Sequence, residues 1–171
     1  MNEYSGWVDR PMRPTIEVCS TLASSERFMT SLKIGEFRID RIPDIDAQTI
    51  DPARSFPSLT NEQLEGYARS LGPSMVTPDL QLVLSFHTWV VRRAGEIFLI
   101  DSCIGNDKER PLRPYWHRRR SDFLERLARL GVLPADVTAV LCTHLHADHV
   151  GWNTRLVDGH WVPTFPNARY V

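Results

Sequence analysis

His144, His146, Asp148 and His149 fall within six consecutive positions of the segment Thr143-His-Leu-His-Ala-Asp-His-Val-Gly-Trp-Asn153. Imidazole nitrogen and carboxylate oxygen are the usual protein donors to zinc and comparable divalent ions. Alternate residues of an extended segment can turn toward one point, so His144 and His146 can share one ion. A helical turn beginning at Asp148 points that carboxylate and His149 toward a second ion beside the first. The chemistry of such a pair is hydrolytic. A water between two divalent cations loses its proton near neutral pH, its pKa falling from about 15.7 toward 7, and the hydroxide attacks an acyl or phosphoryl centre. Any one of these four residues alone is more simply a hydrogen-bonded core or surface group. Three imidazoles and a carboxylate crowded into one turn without metal bring desolvation and no compensating bond. Asp148 is also the expected catalytic group, accepting a hydrogen bond from the nucleophile. Thr143 and Asn153 are expected to fix the loop backbone.

The preceding elements supply the context that such a cluster needs. Ser121 reads as an N-cap with Asp122 in the first turn, followed by Phe123, Leu124, Leu127 and Leu130 at helical spacing and Gly131 as the stop. After the turn at Pro134-Ala135-Asp136, the apolar run Val137 to Cys142 predicts a short buried strand, with the histidines just past its carboxyl end. Ligand sites of layered α/β folds lie where strands end and loops begin. Leu80 to Arg92 predicts a strand apolar on both faces, joined through Ala94-Gly95 to a second strand over Glu96 to Asp101, a hairpin placed in the sheet interior. His87, on the first of these strands, is expected to be a satisfied core histidine. Upstream, Lys33 to Ile42 alternates apolar and charged residues as a half-buried strand that Pro43 ends. Asp44 to Thr77, with Pro52, Pro57, Pro73 and a helical stretch at Asn61 to Leu71, is expected to run over the surface as a pocket wall or a solvated connection. Residues 1 to about 32 are expected to form an irregular arm or one short helix around Ile16 to Leu32.

The segment Thr143 to Asn153 resembles the His-x-His-x-Asp-His signature of the metallo-β-lactamase fold superfamily. Ile97 to Gly105 resembles its earlier strand ending in an Asp-Thr-Gly-like turn, with Ser102 and Cys103 departing slightly. The resemblance implies an α/β fold, an αββα sandwich with a dinuclear metal site between two sheets. It implies that His144 and His146 hold the first metal, that Asp148 and His149 hold the second, and that Asp101 is an outer carboxylate orienting a ligating histidine. Trp152, Asn153 and Phe165 to Tyr170 resemble the lactonase and organophosphate-hydrolase-like branch, so two divalent ions, zinc or else manganese, iron or cobalt, acting on a lactone or other ester are expected. The resemblance covers roughly residues 33 to 171, about the first half of such a domain. The family draws a further histidine, a bridging aspartate and a last histidine from downstream of its signature, and only His160 follows His149 here. His160, in a Gly-His-Trp turn, is expected to be a loop residue.

Composition adds little about substrate. Hydrophobic residues at 42% and charged residues at 24% predict a packed core, and a formal charge of −1 gives no global attraction for nucleic acid or anionic membrane. Three widely separated cysteines argue against a disulfide framework and for a reducing, cytoplasmic compartment. Met1 to Pro14 lacks the apolar stretch of a signal peptide, and no run approaches the length of a membrane span. One cluster offers a rival: Lys108, Arg110, Arg113, Arg118, Arg119 and Arg120 interleave with Tyr115, Trp116 and His117, as a nuclease surface would. Asp107, Glu109 and Asp122 dilute it, and a solvated loop-to-helix face is preferred. A small-molecule substrate is therefore expected over nucleic acid, with oligomerisation possible. A chain lacking its partner half, and so catalytically incomplete, is the remaining alternative.

Overall fold

The computed structural model describes residues 16–19 and 31–171. Strands β1 (Ile16–Cys19), β2 (Ser31–Ile34), β3 (Phe37–Ile50), β4 (Leu82–Arg93) and β5 (Glu96–Ile100) form an antiparallel meander. β6 (Ala139–Leu141) and β9 (Arg169–Tyr170) extend it in parallel, completing a seven-stranded sheet in the order β1-β2-β3-β4-β5-β6-β9. A separate hairpin joins β7 (Thr154–Val157) to β8 (His160–Pro163). Helices α1 (Pro52–Ser55) and α2 (Asn61–Leu71) lie in the β3–β4 connection, and α3 (Phe123–Arg129) precedes β6. This is the mixed α/β architecture expected of one half of the sandwich. Among the described residues no helix is long and apolar enough to cross a membrane.

The core follows from strand alternation. Ile42, Val90, Leu99 and Val140 share one face of adjacent strands and meet Phe123 and Leu127 of α3, all fully buried. Val132, Val137, Trp152 and Phe165 close the cluster, and the Trp152 indole stacks on Phe123 with ring centroids 5.2 Å apart. Burying these side chains contributes on the order of 1.5–3 kcal/mol each, the main drive for seating the helix on the sheet. Asp40, 2% exposed, would be costly on this face if unpaired. It is met by Arg92 and by Arg38, and Arg92 Nη1 also donates to the Leu130 carbonyl at 3.0 Å, tying the end of α3 to β4.

Several expectations need correction. Ile16–Cys19 and Ser31–Ile34 are strands paired with each other, not parts of a helix, because β-branched and apolar residues there continue the meander. The remainder of the expected arm lies outside the described residues. The strand read over Lys33 to Ile42 is a hairpin, turned at Gly35-Glu36 with Gly35 at φ +58°. Pro43 does not end β3. It falls at a bulge, where the register shifts between Pro43 and Ile45, so its missing N–H costs no ladder bond. Its carbonyl accepts from Arg126 Nη1 of α3 at 2.8 Å. Ser121 does not cap α3: Asp122 occupies that position without a side-chain cap, and the Ser121 hydroxyl instead donates to Asp44 at 2.6 Å. The Asn61–Leu71 helix is present, closed by a capping box between Thr60 and Gln63.

Candidate metal centre

Parallel pairing of β5 with β6 sets two carboxyl-terminal strand ends side by side, so Asp101 and Thr143 emerge as neighbours. Asp101 N–H donates to the Leu141 carbonyl at 2.9 Å, and Thr143 N–H donates to Asp101 Oδ1 at 2.8 Å. The Thr143 hydroxyl lies 3.0 Å from both Asp101 oxygens, and His149 Nδ1 lies 2.8 Å from Oδ2. Partial burial alone would raise the Asp101 carboxyl. The Thr143 N–H, the His149 ring and the Thr143 hydroxyl outweigh it and hold the group below the usual carboxylate range. Asp101 is therefore an anion placed to receive the Nδ1 proton of His149, which leaves Nε2 as the ring atom free to face a cation.

Nε2 of His149 faces Asp148 Oδ2 at 3.4 Å. On the other side of the loop His144 Nε2 lies 3.0 Å from His146 Nδ1, while His144 Nδ1 lies 3.1 Å from the Thr143 hydroxyl. That hydroxyl has one proton, which Asp101 takes, so His144 supplies its own Nδ1 proton to Thr143 and also turns an Nε2 lone pair outward. The two rings then share either a proton or a cation between His144 Nε2 and His146 Nδ1. Donors at opposite corners of a tetrahedral zinc shell stand about 3.3 Å apart. The separations of 3.0 Å and 3.4 Å are of that size, so the donor set fits one ion between His144 and His146 and another between Asp148 and His149. Among the described residues no three of these groups converge on one point, and the donors meet as two pairs.

The loop is clamped onto the Asp101 turn through backbone contact. Ser102 N–H donates to the His149 carbonyl at 2.7 Å, Gly151 N–H to the Cys103 carbonyl at 2.7 Å and Trp152 N–H to the Ser102 carbonyl at 2.8 Å. A Cβ on Gly151 would stand 1.9 Å from the backbone of Ile104, and one on Gly105 would stand 2.5 Å from Gly151. Two glycines at this crossing let the main chains touch. Asp101, Cys103, Gly105 and Asp107 all have positive φ, between 49° and 75°, a strained run that its surroundings must hold in place. Asp44, 2% exposed in the β3 bulge, does so: its Oδ2 accepts the N–H groups of Ile104 at 3.1 Å and Gly105 at 3.3 Å. Arg110 bridges turn and loop, donating to the Ile104 carbonyl at 2.7 Å and the Ala147 carbonyl at 2.8 Å.

Asp148 also lines a cleft of about 580 Å³, walled by Gln48, Leu84, Phe86 and Trp116, with Arg54 and Arg113 among its lining residues. A volume of this order suits a small molecule.

The metallo-beta-lactamase superfamily model matches residues 85–171, half of the chain, and takes in the whole of this turn and loop. The chain belongs to the metallo-beta-lactamase superfamily. Its relatives in that superfamily include metallo-beta-lactamase domain-containing protein 1 of Xenopus laevis, 33% identical over 97 residues, which are 56% of this chain and 33% of that protein. Ribonuclease Z of Mycobacterium avium (strain 104) is 34% identical over 76 residues, 44% of this chain and 21% of that protein. Among solved structures, AidC, a dizinc quorum-quenching lactonase in complex with a product, N-hexnoyl-L-homoserine, superposes with a TM-score of 0.63 at 19% identity, over 83% of this chain and 43% of that one. The chain thus spans about a third of the first of these relatives and less than half of the lactonase.

For a metallo-beta-lactamase family chain, the residues singled out from sequence lie close together. Asp101, Thr143, His144, His146, Asp148 and His149 form one connected set. Asn153 stands apart from the rings. Its Oδ1 accepts from Ser102 Oγ at 2.7 Å, and its carbonyl accepts from the Tyr170 hydroxyl at 3.2 Å. The turn expected to begin at Asp148 begins earlier, closed by His149 N–H on the His146 carbonyl at 3.0 Å, and a 3-10 turn follows at Gly151–Asn153. His87 is half-buried on β4, edge-on to Trp89 and 3.1 Å from Ser85 Oγ, and burial lowers its pKa. His160 is exposed and opens β8 beyond a turn at Asp158-Gly159.

The basic cluster is not simply a solvated face. Arg110 and Arg119 bond inward, Arg119 donating to the Asp44 carbonyl at 2.6 Å, and Lys108 Nζ bonds the Thr154 carbonyl at 3.0 Å while lying 3.6 Å from the centroid of the Trp161 ring. Asp44, Arg110 and the glycine crossing carry no sequence signal, because nothing local distinguishes a buried acid beside a strand proline from a surface one.

Asp101→Asn is expected to weaken zinc binding by about 10- to 100-fold, because the amide keeps the shape but no longer fixes the His149 ring proton. Competition with a chromogenic chelator measures it. Unchanged affinity with an unchanged melting temperature would show that Asp101 has no such role.

Proposed function

We propose that the complete protein is a metal-dependent hydrolase acting on a lactone or other ester, with His144 and His146 holding one divalent ion and Asp148 and His149 another. Zinc is the first candidate, with manganese, iron or cobalt as alternatives, since the same donors accept each. The observation that carries this reading is the two facing donor pairs, at 3.0 Å and 3.4 Å, with Asp148 also on the wall of the cleft. When bound, such a pair of cations supplies Lewis acidity and brings the pKa of water toward neutrality.

The remaining steps belong to the chain. Asp101 accepts the His149 Nδ1 proton and Thr143 the His144 Nδ1 proton, so both Nε2 lone pairs are presented without reorganisation. Asp148, shared between site and cleft, accepts a hydrogen bond from the attacking water. Phe86 and Trp116, edge to face with centroids 5.2 Å apart, form an apolar wall that excludes bulk water from a bound ester.

Residues 33–171 would be the first half of the catalytic domain, whose second half would supply the ligands that complete each shell. Free thiols at Cys103 and Cys142 fit a reducing, cytoplasmic setting. Metal-loaded full-length protein is expected to open simple lactones or aryl esters, and to lose at least about a hundredfold in kcat/KM on chelation and in His146→Ala. Activity indifferent to both would refute the reading. Phosphodiester cleavage is the second reading, favoured by the similarity to ribonuclease Z. Hydrolysis of bis(4-nitrophenyl) phosphate faster than of any ester in the panel would select it.

A further inference from the structure

We infer that the cleft beside Asp148 selects substrates that carry an anionic group, a carboxylate or a phosphate, on an apolar or aromatic body, with Arg54 and Arg113 as the specificity determinants. The inference names a substrate class for the site proposed above and rests on that reading for its reaction, though not for its binding step.

The surrounding arginines are already committed: Arg118, Arg119, Arg120, Arg126 and Arg129 each stand within ion-pair distance of a carboxylate. Arg54 and Arg113, both exposed and both lining the cleft, have no ion-pair partner among the described residues. Arg113 is pre-oriented, its guanidinium carbon 5.5 Å from the Trp116 ring centroid, and Trp116 is fixed in turn by its Nε1–H donating to Gln48 Oε1 at 3.0 Å. Arg54 sits at the end of α1, whose N-cap, Asp51, accepts the Ala53 N–H at 2.9 Å.

Two acids, Asp51 and Asp148, also face the cleft. Asp51 is engaged in capping, and Asp148 is turned onto His149 and neutralised by any cation held there. A guanidinium fork matches carboxylate and phosphate oxygens in pairs, and Leu84, Phe86 and Trp116 give the same cleft an apolar lining.

Isothermal titration of the zinc-loaded full-length protein with 4-butylbenzoate, 4-butylphenyl phosphate and neutral 4-butylbenzamide tests this. One or both anions are expected to bind at least about tenfold more tightly than the amide, and Arg54→Gln with Arg113→Gln to abolish the difference. The stronger of the two anions identifies the group. Both side chains are exposed, so the melting temperature should not move. Equal affinity for acids and amide, or a preference that survives the double substitution as coordination to zinc alone would, overturns the inference. If neither a charged nor a neutral aryl ester is hydrolysed while the Arg-dependent preference remains, the hydrolytic reading fails and the cleft assignment stands.

Discussion

Gly151→Ala is expected to destabilise the protein by more than about 4 kcal/mol, a large fraction of the about 5–15 kcal/mol by which domains of this size are stable. The added Cβ would stand 1.9 Å from the carbonyl carbon and oxygen of Ile104 and 2.5 Å from Gly105 N. These are backbone atoms with no rotamer to yield. Separating the chains breaks the bonds from Gly151 N–H to Cys103 and from Trp152 N–H to Ser102, and moves His149 away from Asp101. Gly159 provides the control. It has φ +80° and open space around it, so Gly159→Ala carries only the left-handed backbone cost, about 1–2 kcal/mol. Urea denaturation followed by tryptophan fluorescence compares the two. A Gly151→Ala protein within about 1 kcal/mol of the wild type would mean that the close crossing is not the native geometry.

Asp44→Ala is expected to cost about 3–5 kcal/mol, the usual penalty for removing one partner of a buried charged cluster. It strips two buried N–H groups, Ile104 and Gly105, of their acceptor, leaves the Ser121 hydroxyl only its longer bond to Asn106 Oδ1 at 3.3 Å and removes the carboxylate 3.8 Å from Arg119. Asp44→Asn keeps one acceptor oxygen in the same shape and is expected to lose less, about 1–3 kcal/mol. Because Asp44 supports the turn that carries Asp101, zinc affinity should fall in the same order: wild type, Asn, Ala. Denaturation midpoints and chelator competition on the three proteins measure both effects. An alanine protein as stable as the wild type, or a loss of stability with zinc affinity unchanged, would break the link from the β3 bulge to the His loop.

The two effects explain why the elements nearest the histidines were legible and the frame around them was not. The α2 helix, the apolar run into β6 and the turn at Gly95 are written in neighbouring residues, whose backbone preferences act over a few positions. Strand ends were harder. Pro43 stops a strand by local rules, yet β3 runs on to Ile50, because a bulge absorbs the missing N–H and α3 takes up its carbonyl. Ser121 has the chemistry of an N-cap, but a buried carboxylate 77 positions away competes for its hydroxyl.

By itself the sequence determined the donor types and their order along the chain, since four side chains of the kinds that ligate metals within one turn are a contiguous pattern. It also determined that a buried strand delivers them, because hydrophobic runs and turn residues act locally. Tertiary structure alone decided which nitrogen each ring turns outward. That follows from Asp101 standing beside Thr143 and His149, and this adjacency exists only because β5 and β6 pair in parallel across an intervening helix. It likewise decided that Asp44 and the Gly105–Gly151 contact hold the loop, and that Arg54 and Arg113 share a cleft with Asp148. Such contacts join residues tens of positions apart, and their strength comes from burial that no single stretch of chain can encode.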